Sequence, residues 1–284
     1  MFSKIFFEIK HQDLTLKVRL EEIDKLKLHE EIIPEALEKL MKAIEKDGIV
    51  YHPVIVDEKS LVVLDGMHRV EALRRIGCIR MPVCLVDYFS PLIRVDRWYR
   101  TVKGGDVEGA LAKAGIKYTT VKRQEAEDVV NNKSYPCSVL VRDFGFIIEE
   151  KFKDIYDAYQ IVSMIERVLT DRGLKIGYET EDDAVRMLDN GNVDAVVVTP
   201  PINKKDVIDV ALSGRVFIPK TTRHIVPARP LFVNVPLDLL RKTEISLEDA
   251  NKEFIEMLKK RKIKHLPPGT RLDRRYDEDL YVFE

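Results

Sequence analysis

The run Leu61-Val62-Val63-Leu64-Asp65-Gly66-Met67-His68-Arg69-Val70-Glu71-Ala72-Leu73 constrains this chain more than any other segment. Four consecutive apolar residues read as a buried strand, and the Asp-Gly pair after them marks a sharp turn. Val70, Leu73 and Ile76 then share one face at helical spacing, and Gly77 stands where the helix should end. A strand, a glycine turn and a helix N-terminus therefore follow one another directly. The first N–H groups of a helix have no intrahelical partner and point outward, so such a terminus attracts anions. Gly66 allows close approach to the backbone. His68 and Arg69 add side-chain donors, and arginine suits two-pronged phosphate contact. A phosphate site is the first expectation. The same letters also suit a plain strand–turn–helix whose His and Arg face water.

The remaining pattern is that of an α/β chain of mixed α+β character. With 284 residues there is room for two domains. Residues 1–104 read as a first α/β unit. It has extended segments near 5–9 and 14–20, a helix from Pro34 to Asp47, strands at 53–56 and 61–64, a second helix, and a strand at 83–87. Gly104-Gly105-Asp106 breaks the pattern and opens a new helix. Residues 105–237 read as a second α/β unit, with strands at 138–142, 174–176 and 194–199 and helices at 154–170, 181–189 and 204–212. The run Val193–Thr199 is of central-strand type, and Pro200-Pro201 ends it. Residues 238–284 read as a helical, charged extension, with Ser246 capping a helix over 250–262. Asp143-Phe144-Gly145 matches a protein-kinase triplet, but none of that family's other motifs accompanies it, so a turn between strands is expected.

Charge and composition narrow the function classes. The net charge of −1 provides no global field for nucleic acid, so any phosphate binding must be local. Met1–Glu8 has too short an apolar run before a charge for a signal peptide, and no segment approaches the ~20 apolar residues of a membrane helix. Cys78, Cys84 and Cys137 sit in apolar surroundings without metal spacing, as reduced thiols of a cytoplasmic protein would. Glutamine is confined to Gln12, Gln124 and Gln160 while Lys, Arg and Glu abound, a balance like that of a thermophile's surface.

Asp65-Gly66-Met67-His68-Arg69 resembles the signature loop of the ParB/sulfiredoxin superfamily, which binds nucleotide phosphates. The resemblance continues through His29-Glu30, the Pro34–Asp47 helix, Gly48-Ile49-Val50-Tyr51-His52-Pro53, Trp98-Tyr99 and Lys220-Thr221-Thr222-Arg223-His224. These segments occur in the order found in archaeal free L-serine kinases, over residues 16–237. The five-residue loop is specific only to the superfamily; the His-Glu pair and the Lys-Thr-Thr-Arg-His segment together point to the kinases. Sulfiredoxin needs a cysteine where this chain has Met67, which cannot form a thiolate. The helix-turn-helix that follows the nucleotide domain in chromosome-partitioning ParB proteins has no counterpart after residue 90, so nucleic acid is not an expected partner. A ParB-type nucleotide-binding regulator without kinase activity, one that could contact DNA, is the alternative reading, and a kinase of another small hydroxyl metabolite is the third.

The resemblance implies a kinase that converts L-serine to O-phospho-L-serine. It implies a ParB/sulfiredoxin-like N-terminal domain and a second α/β domain closing a cleft over it. ATP is the expected donor and ADP the alternative, with Mg²⁺ to neutralise the transferred phosphate. Glu30 is the implied general base, because the serine hydroxyl must lose its proton as the phosphoryl group arrives. Read alone, Glu30 is a helix-flanking surface acid. Asp65 is a second candidate, for holding Mg²⁺, orienting the substrate amine or capping the next helix. Gly66, Met67, His68 and Arg69 are expected at the nucleotide phosphates, and His52 at the base. Trp98, Lys220, Thr221, Thr222, Arg223 and His224 are expected to bind the substrate or its phosphorylated product. Each has a plainer reading, as a core aromatic for Trp98, a packed His52 or an exposed basic loop for Lys220–His224.

Overall fold

A computed structural model describes residues 5–284; Met1–Lys4, part of the N-terminal run read above for a leader, lie outside the described residues. The chain forms two compact units. Of the described residues, the first comprises 5–94, 211–216 and 224–284, and the second 95–210 and 217–223.

The first unit is built on a five-stranded sheet in the order Phe7–His11, Leu14–Glu22, Arg80–Val86, Val54–Asp57, Val63–Asp65. All neighbours are antiparallel except Arg80–Val86 and Val54–Asp57, which run parallel. The period of two is clearest in Leu14–Glu22, where Leu14, Leu16, Val18 and Leu20 are buried and Thr15, Lys17 and Arg19 are partly exposed. Helix α1 spans Pro34–Asp47, with Pro34 in its first turn and Gly48 in the left-handed conformation at its end. Helix α2 spans Met67–Arg75 and buries Val70, Ala72 and Leu73. The observed elements agree with the mixed α/β expectation, and both helices lie within a residue or two of their expected bounds.

Residues after 238 also belong to this unit. The Leu247–Lys259 helix is capped by Ser246, whose hydroxyl accepts from Asp249 N. From it Asn251, almost fully buried, accepts from Leu20 N at 2.7 Å and donates to Leu20 O at 3.0 Å. Strand Asp279–Phe283 runs parallel to Ala228–Leu231 and antiparallel to Ile263–Leu266, over a small core of Leu231, Tyr276, Leu280 and Val282.

The second unit is a six-stranded antiparallel sheet, ordered Lys175–Glu179, Tyr99–Lys103, Ala195–Val198, Ser138–Leu140, Phe144–Ile148, Tyr118–Lys122. Ala195–Val198 is interior and wholly buried, as its apolar run requires. The triplet at 143–145 belongs to a hairpin: the turn lies over 141–143, and Phe144 and Gly145 already form the returning strand. Strand Tyr118–Lys122 and helix Arg123–Asn131 are elements that periodicity did not reveal. The strand lies at a sheet edge with its side chains mostly exposed, so it lacks an apolar alternation.

Candidate active site

The expected succession of strand, glycine turn and helix start is formed as read. Strand Val63–Asp65 ends in Gly66, whose φ of 96° lies in the left-handed region, and α2 starts at Met67. The reason for glycine is packing as well as ligand access. A Cβ here would fall inside contact distance of Val54 Cγ1 and 2.6 Å from Arg69 Nη2. Helix geometry aims the N–H groups of Met67 and His68 out of the terminus, while Arg69 N already donates to Gly66 O at 2.9 Å.

The side chains of this turn are largely committed to the fold. Arg69 folds inward, donating through Nη1 to His52 O at 3.0 Å and Pro53 O at 2.9 Å, and through Nη2 to Asp65 Oδ2 at 3.1 Å. Its fork thus ties the loop before Val54–Asp57 to the strand that enters the turn. His68 Nε2 accepts from Ile33 N at 3.0 Å, which joins the start of α2 to the start of α1, where no side chain caps the helix. The proton of a neutral His68 therefore sits on Nδ1. His52 Nδ1 accepts from Phe232 N at 3.1 Å, and its ring meets the Phe232 ring edge-on at 4.7 Å. Burial, reinforced by the nearby Arg69 charge, lowers the His52 pKa to about 4, so it is neutral at pH 7.

Asp65 takes Arg229 as well as Arg69: Arg229 Nη1 donates to Asp65 Oδ2 at 2.9 Å. Partial desolvation would raise the pKa of this half-exposed Asp65, but Arg229 and then Arg69 outweigh it and hold the carboxylate at about 2. Sequence reasoning missed Arg229. Its one signal is a charge inside the otherwise apolar Ala228-Arg229-Pro230-Leu231, a pattern that asks for a buried partner.

The segment that carries Glu30 is tied to the strand that enters the turn. Lys27 N donates to Leu61 O and Val63 N to Lys27 O, both at 2.9 Å, and Lys27 bridges Val62 in parallel. His29 and Glu30 follow Lys27 by two and three residues. His29 locks the alignment, since its Nδ1 donates to Val63 O at 2.8 Å. Burial pushes the His29 pKa down against the opposing pull of Glu30. The His29 ring meets His224 edge-on at 5.2 Å, and His224 Nε2 shares a 2.7 Å hydrogen bond with the buried Tyr88 hydroxyl. Glu30 itself is buried at 8% exposure, not spread on the surface. His29, Glu30, His52, Asp65–Arg69 and His224 thus all belong to the first unit.

Trp98, Lys220, Thr221, Thr222 and Arg223 belong to the second unit. Lys220 Nζ lies 5.5 Å and the Arg223 guanidinium 5.7 Å from the Trp98 ring centroid, so one indole carries two cations. Trp98 Nε1 donates to Thr222 O at 3.0 Å. The Thr221 hydroxyl is buried and donates to Ile218 O at 2.9 Å, which serves the turn. Arg100, fully buried and paired with Glu166, donates to Trp98 O at 2.8 Å and Lys220 O at 3.1 Å and holds the cluster in place. Arg223 also pairs with Asp96 at 3.6 Å, and both line an open cavity of about 460 Å³ with Arg97, Thr180, Glu181 and Ile202.

Among the described residues no group of three or more His, Cys, Asp or Glu is placed to hold a metal ion. No helix among them is long and apolar enough to cross a membrane.

The geometry is that of a mixed α/β protein with a carboxylate, Asp65, directly before a glycine turn and a helix N-terminus. Comparison with known proteins places it further, although no protein-family profile matches the chain. It is 31% identical over 253 residues to the ATP-dependent L-serine kinase of Staphylothermus marinus, covering 84% of this chain and 95% of that protein. It is 28% identical over 231 residues to the ADP-dependent L-serine kinase of Thermococcus kodakarensis, covering 77% and 91%. A solved free serine kinase, with one glutamate replaced by alanine and AMP bound, superposes with a TM-score of 0.68. That match has 26% identity and covers 79% of this chain and 94% of the other. The chain belongs to the L-serine kinase family.

Proposed function

We propose that this chain is a nucleotide-dependent kinase of free L-serine, with the donor phosphates at the α2 N-terminus and Glu30 as general base. The observation that supports the reading is a buried Glu30 next to His29, whose ring is hydrogen-bonded to Val63 O on the strand that enters the Asp65-Gly66 turn. A carboxylate there takes the hydroxyl proton as the phosphoryl group arrives. The N–H groups of the first α2 turn and the dipole behind them hold the donor's phosphates. Arg69 and His68 act mainly by shaping the turn, and His52 by closing the loop beneath it. Arg223, supported on Trp98 with Lys220, takes the serine carboxylate, and this handle restricts the enzyme to the free amino acid.

ATP is the proposed donor, as in the Staphylothermus marinus relative's name, with ADP the alternative. Mg²⁺ would supply charge neutralisation on the transferred phosphate. The chain's own residues do not make it a site: Asp65, the expected ligand, already shares one oxygen between Arg69 and Arg229. The test is incubation of the pure protein with L-serine and ATP or ADP, with phosphoserine detected by mass spectrometry. Absence of phosphoserine with either donor refutes the reading.

A further inference from the structure

Asp65 stands directly before the proposed donor site, and a ladder of alternating charge leads away from it. Arg69 and Arg229 both donate to Asp65 Oδ2. Arg229 Nε pairs with Glu278, and Arg274 Nη2 donates to the same Glu278 carboxylate at 3.3 Å. The order is cation, anion, cation, anion, cation, and it ties the C-terminal segment to the turn across three stretches of sequence. Arg229 and Glu278 are enclosed, at 13% and 12% side-chain exposure, whereas Asp65 is 40% exposed. Arg274 is itself laid on the Tyr276 ring, 3.9 Å from its centroid.

An open carboxylate beside a phosphate site poses a problem that only its neighbours solve. Left to itself, Asp65 would repel the donor and would be free to swing toward the helix terminus and cap it. Arg69 cannot hold it alone, because its Nη1 is spent on two backbone carbonyls. Arg229 supplies the second guanidinium, and Glu278 keeps Arg229 from turning away. We propose that Arg229 is a positioning residue of the donor site: braced by Glu278, it neutralises and fixes Asp65 so that the Gly66 turn and the α2 terminus stay open to nucleotide phosphate. This rests on the reading that the donor's phosphates sit at that terminus.

The test is calorimetric titration of the full chain with ADP, with folding checked by circular dichroism and serine KM measured alongside. Arg229→Met should weaken ADP binding about tenfold or more, the usual range for a lost charged hydrogen bond, and leave serine KM within twofold. Arg229→Lys keeps the charge but not the fork, and should fall between Arg229→Met and the parent. The double variant Arg229→Met with Asp65→Asn should recover ADP affinity to within about threefold of the parent, because the charge that needed neutralising is gone. ADP affinity within twofold of the parent in Arg229→Met, or weaker binding by the double variant than by Arg229→Met, overturns the proposal. A purely structural Arg229 gives the latter result. Should Arg229→Met not fold, Glu278→Gln takes its place, with an expected loss of about threefold and refutation by an unchanged affinity.

Met67→Glu separates this inference from the reading beneath it. An acid in the first helical turn favours the helix but repels phosphate. If Met67→Glu binds ADP normally, the donor site lies elsewhere. If it loses ADP while Arg229→Met does not, only the role of Arg229 falls.

Discussion

Gly66→Ala probes why the turn carries a glycine. Two penalties are readable from the structure. The backbone sits at φ 96°, where an L side chain is strained by about 1–3 kcal/mol. The new methyl would also press on Val54 Cγ1 and come within 2.6 Å of Arg69 Nη2 and 2.9 Å of Arg69 Cζ. Carbon pairs prefer about 3.5–4.0 Å. Val54 is fully buried in the sheet, and Arg69 is held by His52 O, Pro53 O and Asp65, so neither yields freely. Overpacking of this kind costs about 1–3 kcal/mol. The sum is about 2–6 kcal/mol of lost stability, measured as the shift in a urea transition followed by far-UV circular dichroism. The sole tryptophan, Trp98, belongs to the other unit, so its fluorescence is the wrong probe. The double variant Gly66→Ala with Val54→Ala should be more stable than the two single losses add up to, because removing Val54 Cγ1 frees the space. A loss below about 1 kcal/mol in Gly66→Ala refutes both penalties and leaves ligand access as the reason for glycine, whereas strict additivity in the pair refutes the Val54 contact and leaves the backbone strain.

Glu30→Gln keeps shape and hydrogen bonding but removes basicity, and should lower turnover about a hundredfold or more with ADP affinity retained; near-normal phosphoserine formation removes Glu30 from the mechanism. Arg223→Ala should raise serine KM at least about tenfold while donor affinity changes little, and a serine buried in a peptide should not be phosphorylated; efficient peptide phosphorylation sinks the carboxylate handle. His52 predicts a pH effect on stability. Its folded pKa of about 4 lies below the ordinary 6.5, so the unfolded chain takes up the extra proton and stability falls as pH drops from 6.5 toward 4. For this partly exposed ring the loss at pH 5 is about 1–2 kcal/mol. His52→Asn, which keeps an acceptor for Phe232 N, should flatten that slope in urea midpoints compared at pH 7 and pH 5.

Much of the local structure around the candidate site was legible in the sequence. The helices at 34–47, 67–75, 181–189 and 204–212 are written in apolar spacing and in their end signals, since such patterns involve only neighbours within a turn or two. The glycine turn was legible for the same reason. Less visible was the direction in which its side chains work. Arg69 reads as a phosphate donor, yet it turns inward to carbonyls 16 and 17 residues upstream. His68 reads the same way, yet it takes the N–H that opens α1.

The sequence by itself determined that this chain is a mixed α/β protein with a helix N-terminus after an Asp-Gly turn, because backbone sterics, side-chain periodicity and capping are local. Its motifs also sufficed to suggest the serine kinases. Only the tertiary structure decided which charges meet. Asp65 and Arg229 pair across 164 residues, Glu278 closes on Arg229 from the C-terminal segment, and Lys27 bridges Val62 on the strand that enters the turn. No short-range rule picks these partners. Several Asp and Glu residues could pair with any given Arg, and the choice falls to whichever the sheet register buries together.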